Sequence, residues 1–259
     1  MRITVRMSFV VALFVSSVLT RNLVRAQTPI GANVDMRVIV TLHVHPEAAQ
    51  HWLVDPWRVN PVNAGPSQGA DVSLVFADQY LVQDAAGNPV TGGINRLLAV
   101  IVPGKHTETD ETASIVVRLF SADPSVVPGP FKNAVLATIH HERTVKAANT
   151  EPAAGHEAWT VHDPASGGFV ELQFDYQGDT PVRRKGEAKV YSSVDPHIWH
   201  SSHVDQGTDV LKSVPGAIDR VQNLQLTVTI PELRTLFDGS ERVVSIALLP
   251  WYVRDVSLP

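Results

Sequence analysis

The sequence predicts a mainly β fold: a large, mostly antiparallel barrel or sandwich of about ten strands with one or two short helices. Three observations carry this. Apolar and polar residues alternate with period two over long stretches, the mark of half-buried strands. Clusters of Gly, Pro, Asn and Asp recur at roughly ten- to fifteen-residue spacing. Only two short segments read as helix, and no internal repeat is present.

In chain order, residues 34–45 form the first strand. Val34, Met36, Val38, Val40, Leu42 and Val44 point one way, and Asp35, Arg37, Thr41, His43 and His45 the other. Pro46, which cannot donate to a ladder, ends it. Residues 46–57 hold one short helix, favoured by Glu47, Ala48, Ala49 and Trp52. The stretch 60–69, rich in Pro, Gly, Ser and Asn, is loop. Residues 71–83 alternate again, with Val72, Leu74, Phe76, Tyr80 and Val82 on one face, and 84–89 is a turn cluster. Residues 97–102 are apolar throughout, as in a strand covered on both sides. Residues 114–120 are the next strand, and 122–130 is a proline-rich loop.

Residues 131–145 read as one long strand carrying His140, His141 and Glu142, followed by a polar loop. Residues 156–163 and 168–176 make a hairpin, and 182–192 continues with a charged outer face. Residues 223–230 alternate through Leu224, Leu226, Val228 and Ile230. Pro231 opens the second short helix over 231–237, which stops at Asp238-Gly239. Residues 242–256 are the closing strand.

Residues 1–26 carry a secretory signal-peptide pattern: Arg2 and Arg6, an uncharged apolar run, then Val24-Arg25-Ala26 with a small residue at the cut. The expected organisation is a leader over 1–26 and one β-rich domain over 27–259, exported to a bacterial periplasm or secreted. The chain has no cysteine, so an exported form rests on its core rather than on disulfides. A net charge of −5 with scattered Lys and Arg argues against nucleic acid. Beyond residue 26 no apolar run approaches the ~20 residues of a membrane span.

The densest ionisable chemistry lies in 183–209. Lys185 and Glu187, alternate residues of a strand, share a face and form the candidate catalytic pair. A lysine forms a Schiff base only as the neutral amine, and Arg183 and Arg184 would lower its pKa toward that form. An ordinary surface ion pair accounts for the same residues. His197, His200 and His203 are the candidate metal ligands, three imidazoles being a recognised zinc set. On a strand His200 opposes the other two, and on a helix His203 turns away, so only an irregular loop would gather all three. Exposed loop histidines are the plainer reading. His43 and His45 share a strand face and could reach one ion, but that face is expected to meet solvent. Zinc apart, no cofactor is indicated: the chain has no Walker or dinucleotide glycine motif and no G-x-S-x-G.

Pro128-Gly129-Pro130-Phe131, leading into the apolar stretch 134–139, resembles a Gly-Pro-aromatic step of the acetoacetate decarboxylase superfamily. Gly155-His156-Glu157-Ala158-Trp159 resembles that family's Gly-Arg-Glu-x-aromatic segment, with His156 in place of the arginine. The resemblance implies a β-rich cone or barrel with an interior pocket. The family segment continues into Pro-Lys-Lys, whose first lysine forms the Schiff base; here Thr160-Val161-His162-Asp163-Pro164 follows, and the chain has no Lys-Lys pair.

The expected function is an exported β protein binding a small organic ligand in an interior pocket. A keto-acid lyase using Lys185 and Glu187, and a zinc-dependent hydrolase or lyase using the 197–203 histidines, are the alternatives. The oligomeric state stays open.

Overall fold

The computed structural model describes residues 27–259; the signal-peptide expectation falls on residues 1–26, outside the described residues. The opening alternation becomes the sixteen-residue strand β1 (Thr28–His43). The one-turn helix α1 (Pro46–Gln50), with Pro46 in its first turn, follows. Next come β2 (Trp57–Val59), β3 (Val72–Asp84), β4 (Asn95–His106), β5 (Thr112–Ser121) and β6 (Ala134–Leu136). Then β7 (Thr138–Lys146), β8 (Ala154–His162) and β9 (Phe169–Gln177) form consecutive hairpins. The chain closes with β10 (Val182–Ser192), β11 (Trp199–Ser213), β12 (Ile218–Asp219), β13 (Val221–Val228) and β14 (Arg242–Leu258).

Two sheets result, one of ten strands and one of four. The large sheet runs β2-β4-β3-β1-β14-β11-β10-β5-β6, with β12 beside β11, and the small one β13-β9-β8-β7. Pairing is antiparallel except where β5 meets β10 and β6. Because β4 also pairs with β5, the path through β4, β3, β1, β14, β11, β10 and β5 returns on itself. The large sheet is therefore rolled, and the small sheet packs across one side of it. The mainly β expectation holds, in a two-sheet, sandwich-like form rather than a simple closed barrel.

The main core lies between the sheets. Met36, Val38, Val40 and Leu42 of β1, with Leu74 and Phe76 of β3, join one buried cluster with Trp159, Leu172 and Phe174 of the small sheet. Burying a side chain of this size stabilises by about 1.5–3 kcal/mol each. A second cluster, Val75, Ala77, Leu97, Ala99, Val116, Leu119 and Phe131, lies on the opposite faces of the rolled strands.

That second cluster corrects one expectation. Most of the polar face of β1 does not meet solvent: Asp35 is 1% and Thr41 5% exposed, although His43 at its end is exposed as expected. Rolling covers both faces, so the residues opposite the core point into an interior. Several element boundaries also differ. The expected strand 131–145 divides into β6 in the large sheet and β7 in the small one, the chain changing sheets at Ala137, whose N–H donates to Ser121 O. The helices expected over 46–57 and 231–237 shrink to α1 and a 3-10 turn at Pro231–Leu233. Strand β11, read from sequence as a loop of histidines, is fifteen residues long.

Candidate functional site

The rolled sheet borders a partly open cavity of about 340 Å³, lined by inward-facing residues of β1, β3, β4, β5, β10, β11 and β14. Its apolar side carries Ile39, Val75, Ala99, Val116 and Phe131; its polar side carries Arg37, Ser202, Gln206, Tyr252 and Arg254. Alternation puts them there. Residues 33, 35 and 37 share the inward face of β1, and 252 and 254 that of β14, where Arg254 lies opposite Asn33 in the ladder.

The two arginines are joined through β1. Arg37 donates through Nε and Nη2 to Asp35 Oδ2 at 2.9 and 2.5 Å. Asn33 Nδ2 donates to Asp35 Oδ1 at 2.6 Å, and Arg254 Nε donates to Asn33 Oδ1 at 2.8 Å. The Arg37 guanidinium also lies 3.4 Å over the Tyr252 ring centre. Burial works to lower the Arg37 pKa, but Tyr252 and the Asp35 carboxylate outweigh it and hold the group above the usual arginine value. Arg254 is pulled the other way, first by burial and also by the Arg37 charge. Among the described residues Arg254 has an amide oxygen as its side-chain partner and no ion pair with a carboxylate. The polar side thus holds two cations against one anion.

Next to the lining residue Ser202 on the same face of β11 sits His200, wholly buried. Its Nε2 lies 3.0 Å from Ser202 Oγ, and its Nδ1 has no partner. Burial, then the Arg254 charge, push its pKa down to about 3, so the ring is neutral. Phe131 meets the ring edge-on, with centroids 5.0 Å apart. Gly129 packs against it at φ +114°, where a Cβ would stand 2.9 Å from Nδ1. Pro128 and Phe131, at the two ends of the Pro-Gly-Pro-Phe step, line the cavity, and Gly129 packs against His200.

A second ionic cluster joins the two sheets. His141 bridges Asp78 Oδ2 at 2.7 Å and Glu157 Oε2 at 2.8 Å, with its side chain 4% exposed. Arg96 reaches Asp78 from β4, and Arg143 reaches Glu157 from β7. Burial opposes the charge on His141, but the hydrogen bonds to Asp78 and Glu157 prevail and raise its pKa. Glu157, the glutamate of the Gly-His-Glu segment, faces this cluster, while His156 turns outward to Asp175.

The residues singled out from sequence lie elsewhere. Lys185 and Glu187 share a face, but it is the outer face of β10; Ala188 and Val190, of the opposite parity, line the cavity. Lys185 Nζ pairs with Asp205 Oδ2 at 3.1 Å, not with Glu187, and its side chain is 68% exposed. Glu187 accepts from Ser201 Oγ at 2.6 Å, with His203 Nε2 3.6 Å away. His197 is exposed, His200 is interior and His203 faces out, so the three rings diverge. His43 pairs with Asp71 at 2.9 Å, and His45 is exposed. No group of three His, Cys, Asp or Glu is placed to hold a metal among the described residues. Sequence reasoning missed Arg37, Arg254, Tyr252 and Ser202. The available signal was a charged residue in mid-strand at both 37 and 254.

Comparison with known proteins adds the fold's context. No family model and no curated protein matches the chain. Among solved structures, the enduracididine biosynthesis enzyme MppR complexed with pyruvate is similar at 14% identity and TM-score 0.55, over 90% of each chain. An acetoacetate decarboxylase-like enzyme from Sphingomonas wittichii RW1 aligns at 9% identity and TM-score 0.56, over 89% of this chain and 91% of that one. Acetoacetate decarboxylase from Legionella pneumophila aligns at 10% identity and TM-score 0.51, over 90% and 86%. The chain thus shares the fold of these acetoacetate decarboxylase-like structures.

Proposed function

We propose that the chain binds a small monocarboxylic acid of the 2-oxo acid class in the cavity of the rolled sheet. The observation that carries this reading is the charge imbalance. Arg37 is matched by Asp35, whereas Arg254 is met only by the Asn33 amide oxygen. Arg254 is half-buried, and a partly desolvated guanidinium without a counter-ion carries an electrostatic cost that an anionic ligand offsets through charge-assisted hydrogen bonds. The apolar side at Ile39, Val75 and Val116 suits the short carbon skeleton of such an acid. The volume of about 340 Å³ is at the small end for ligand sites.

Titration calorimetry with pyruvate and its uncharged amide tests the proposal. Pyruvate binds and pyruvamide does not, and Arg254→Met removes pyruvate binding. Equal binding of acid and amide would overturn the assignment.

A Schiff-base lyase acting on a keto acid is the second reading, favoured by the fold shared with acetoacetate decarboxylase-like enzymes. Among the described residues no lysine lines the cavity, and Lys185 lies outside it. Borohydride reduction in the presence of pyruvate separates the two: binding alone leaves the protein mass unchanged, and a lyase of this kind gains a trapped adduct on a lysine. The composition of residues 1–26 supports export, which fractionation of the expressing cells tests.

A further inference from the structure

We infer that the acid held in this cavity carries an apolar tail of about four carbons beyond its oxo group, so that the site prefers medium-chain 2-oxo acids to pyruvate. The inference rests on the carboxylate reading of the cavity and deepens it, by naming what lies behind the carboxylate.

The ladder places the tail. One inward step along β1 from Arg37, about 7 Å on, is Ile39. Ile39 pairs with Val75 of β3, Val75 with Ala99 of β4, and Ala99 with Leu119 of β5. Four neighbouring strands thus present an unbroken apolar row, and all four side chains line the cavity. None of them can donate or accept a hydrogen bond. The cations stand on β1 and β14, and the row runs away from them through β3, β4 and β5. One step past the row on β3, Ser73 also lines the cavity and restores polar surface. The apolar belt therefore has an end, and with it the tail has a preferred length.

Size and exposure agree with this placement. A cavity of about 340 Å³ has room for about eleven water-sized groups at ~30 Å³ each, and pyruvate fills about half of it. Ile39 and Val127 line the cavity and are only half-buried in the ligand-free protein. The methyl of pyruvate is too small to cover both, whereas a butyl group spans the row. Ala99 is the smallest member of that row, between Val75 and Leu119 in the ladder, so the belt is indented at its middle. A tail seated there removes apolar surface from water on three sides, which is the source of the preference.

Titration calorimetry of the full chain with pyruvate, 2-oxobutyrate, 2-oxohexanoate and 2-oxodecanoate tests the inference. Affinity is expected to rise about two- to fourfold with each added methylene, and to level off beyond 2-oxohexanoate. The heat-capacity change of binding should grow more negative over the same range. Ala99→Leu fills the indentation and should bring the ratio of 2-oxohexanoate to pyruvate affinity from about tenfold or more down toward one. Val127→Phe, in the loop between β5 and β6, narrows the cavity from another side and repeats the test should Ala99→Leu fail to fold. Arg254→Met should abolish binding of every acid in the series. An affinity that is flat or falls from pyruvate to 2-oxohexanoate overturns the inference, and the carboxylate reading stands if that binding still needs Arg254. A ratio unmoved in the folded variants overturns it as well, because the tail then lies elsewhere. If no acid binds, or if 2-oxohexanoate binding survives Arg254→Met, the carboxylate reading falls and the inference with it.

Discussion

The imidazole of His141 lies flat on the indole of Trp159, with ring centres 3.7 Å apart and planes 10° from parallel. The contact fixes the ring orientation, so that one nitrogen meets Asp78 in the large sheet and the other Glu157 in the small sheet. The sheets are thus fastened through a histidine that favours its charged form. Its folded pKa is raised above the ordinary 6.5, so the folded state holds the proton more tightly than the unfolded state. That contribution is complete below pH 6.5 and is lost as pH rises through the folded value. Unfolding free energies from urea titrations should therefore fall on the alkaline side, by at most about 1.4 kcal/mol per pH unit. His141→Asn should flatten this limb, and an unchanged slope in that variant would dissociate it from the clasp.

His200 gives the opposite limb. Its folded pKa, about 3 against an ordinary 6.5, means that the unfolded state takes up the proton first as pH falls. Stability is then full above pH 6.5 and declines between there and about 3. The two histidines together place the maximum of stability near pH 6.5. His200→Phe, similar in volume and without a titrating group, should lose the acid limb and keep the alkaline one. Thermal melts across pH, with wild type and variant side by side, decide the point.

How much of this was legible in the sequence follows from what period two can report. Alternation reveals a strand with one apolar face, and β1 was read correctly because Met36, Val38, Val40 and Leu42 meet the small sheet. It carries no information about the opposite face, so Asp35 and Arg37 were assigned to solvent. Nothing local to β1 encodes the rolling of the sheet, which depends on β4 meeting β5. Strand β11 shows the same limit more strongly. Its inward residues include His200, Ser202 and Gln206, and its outward ones His203 and Asp205, so both faces are polar. The apolar period vanishes where the cavity is lined with hydrogen-bonding groups. Lys185 and Glu187 drew attention by density of charge, which is a property of the exposed face of β10.

Gly129→Ala should be costly at a residue far from any regular core position. The backbone there has φ +114°, a region that L side chains rarely adopt, and a new Cβ would stand 2.8 Å from the Phe131 ring and 2.9 Å from His200. Strain of this kind costs about 1–3 kcal/mol. The expected result is a lowered Tm together with weaker pyruvate binding, because Phe131 lines the cavity and packs on His200. A melt equal to wild type would show that the loop can yield without moving His200.

Arg254→Met should separate stability from binding. In the ligand-free protein Arg254 is a half-buried cation whose pKa is pulled down by burial and by Arg37, so the fold carries part of its desolvation cost without a paired carboxylate. Methionine keeps most of the volume and removes the charge, and replacing buried charge with apolar side chains often stabilises by about 1–4 kcal/mol. One term opposes this, the Asn33 Oδ1 acceptor left unfilled, which costs about 1–3 kcal/mol. The net expectation is a ligand-free Tm at or above that of wild type, with the rise in Tm on adding pyruvate abolished. A structural role for Arg254 makes the contrary demand, a large loss of Tm in the variant. Differential scanning calorimetry with and without pyruvate distinguishes a cation kept for a ligand from one kept for the fold.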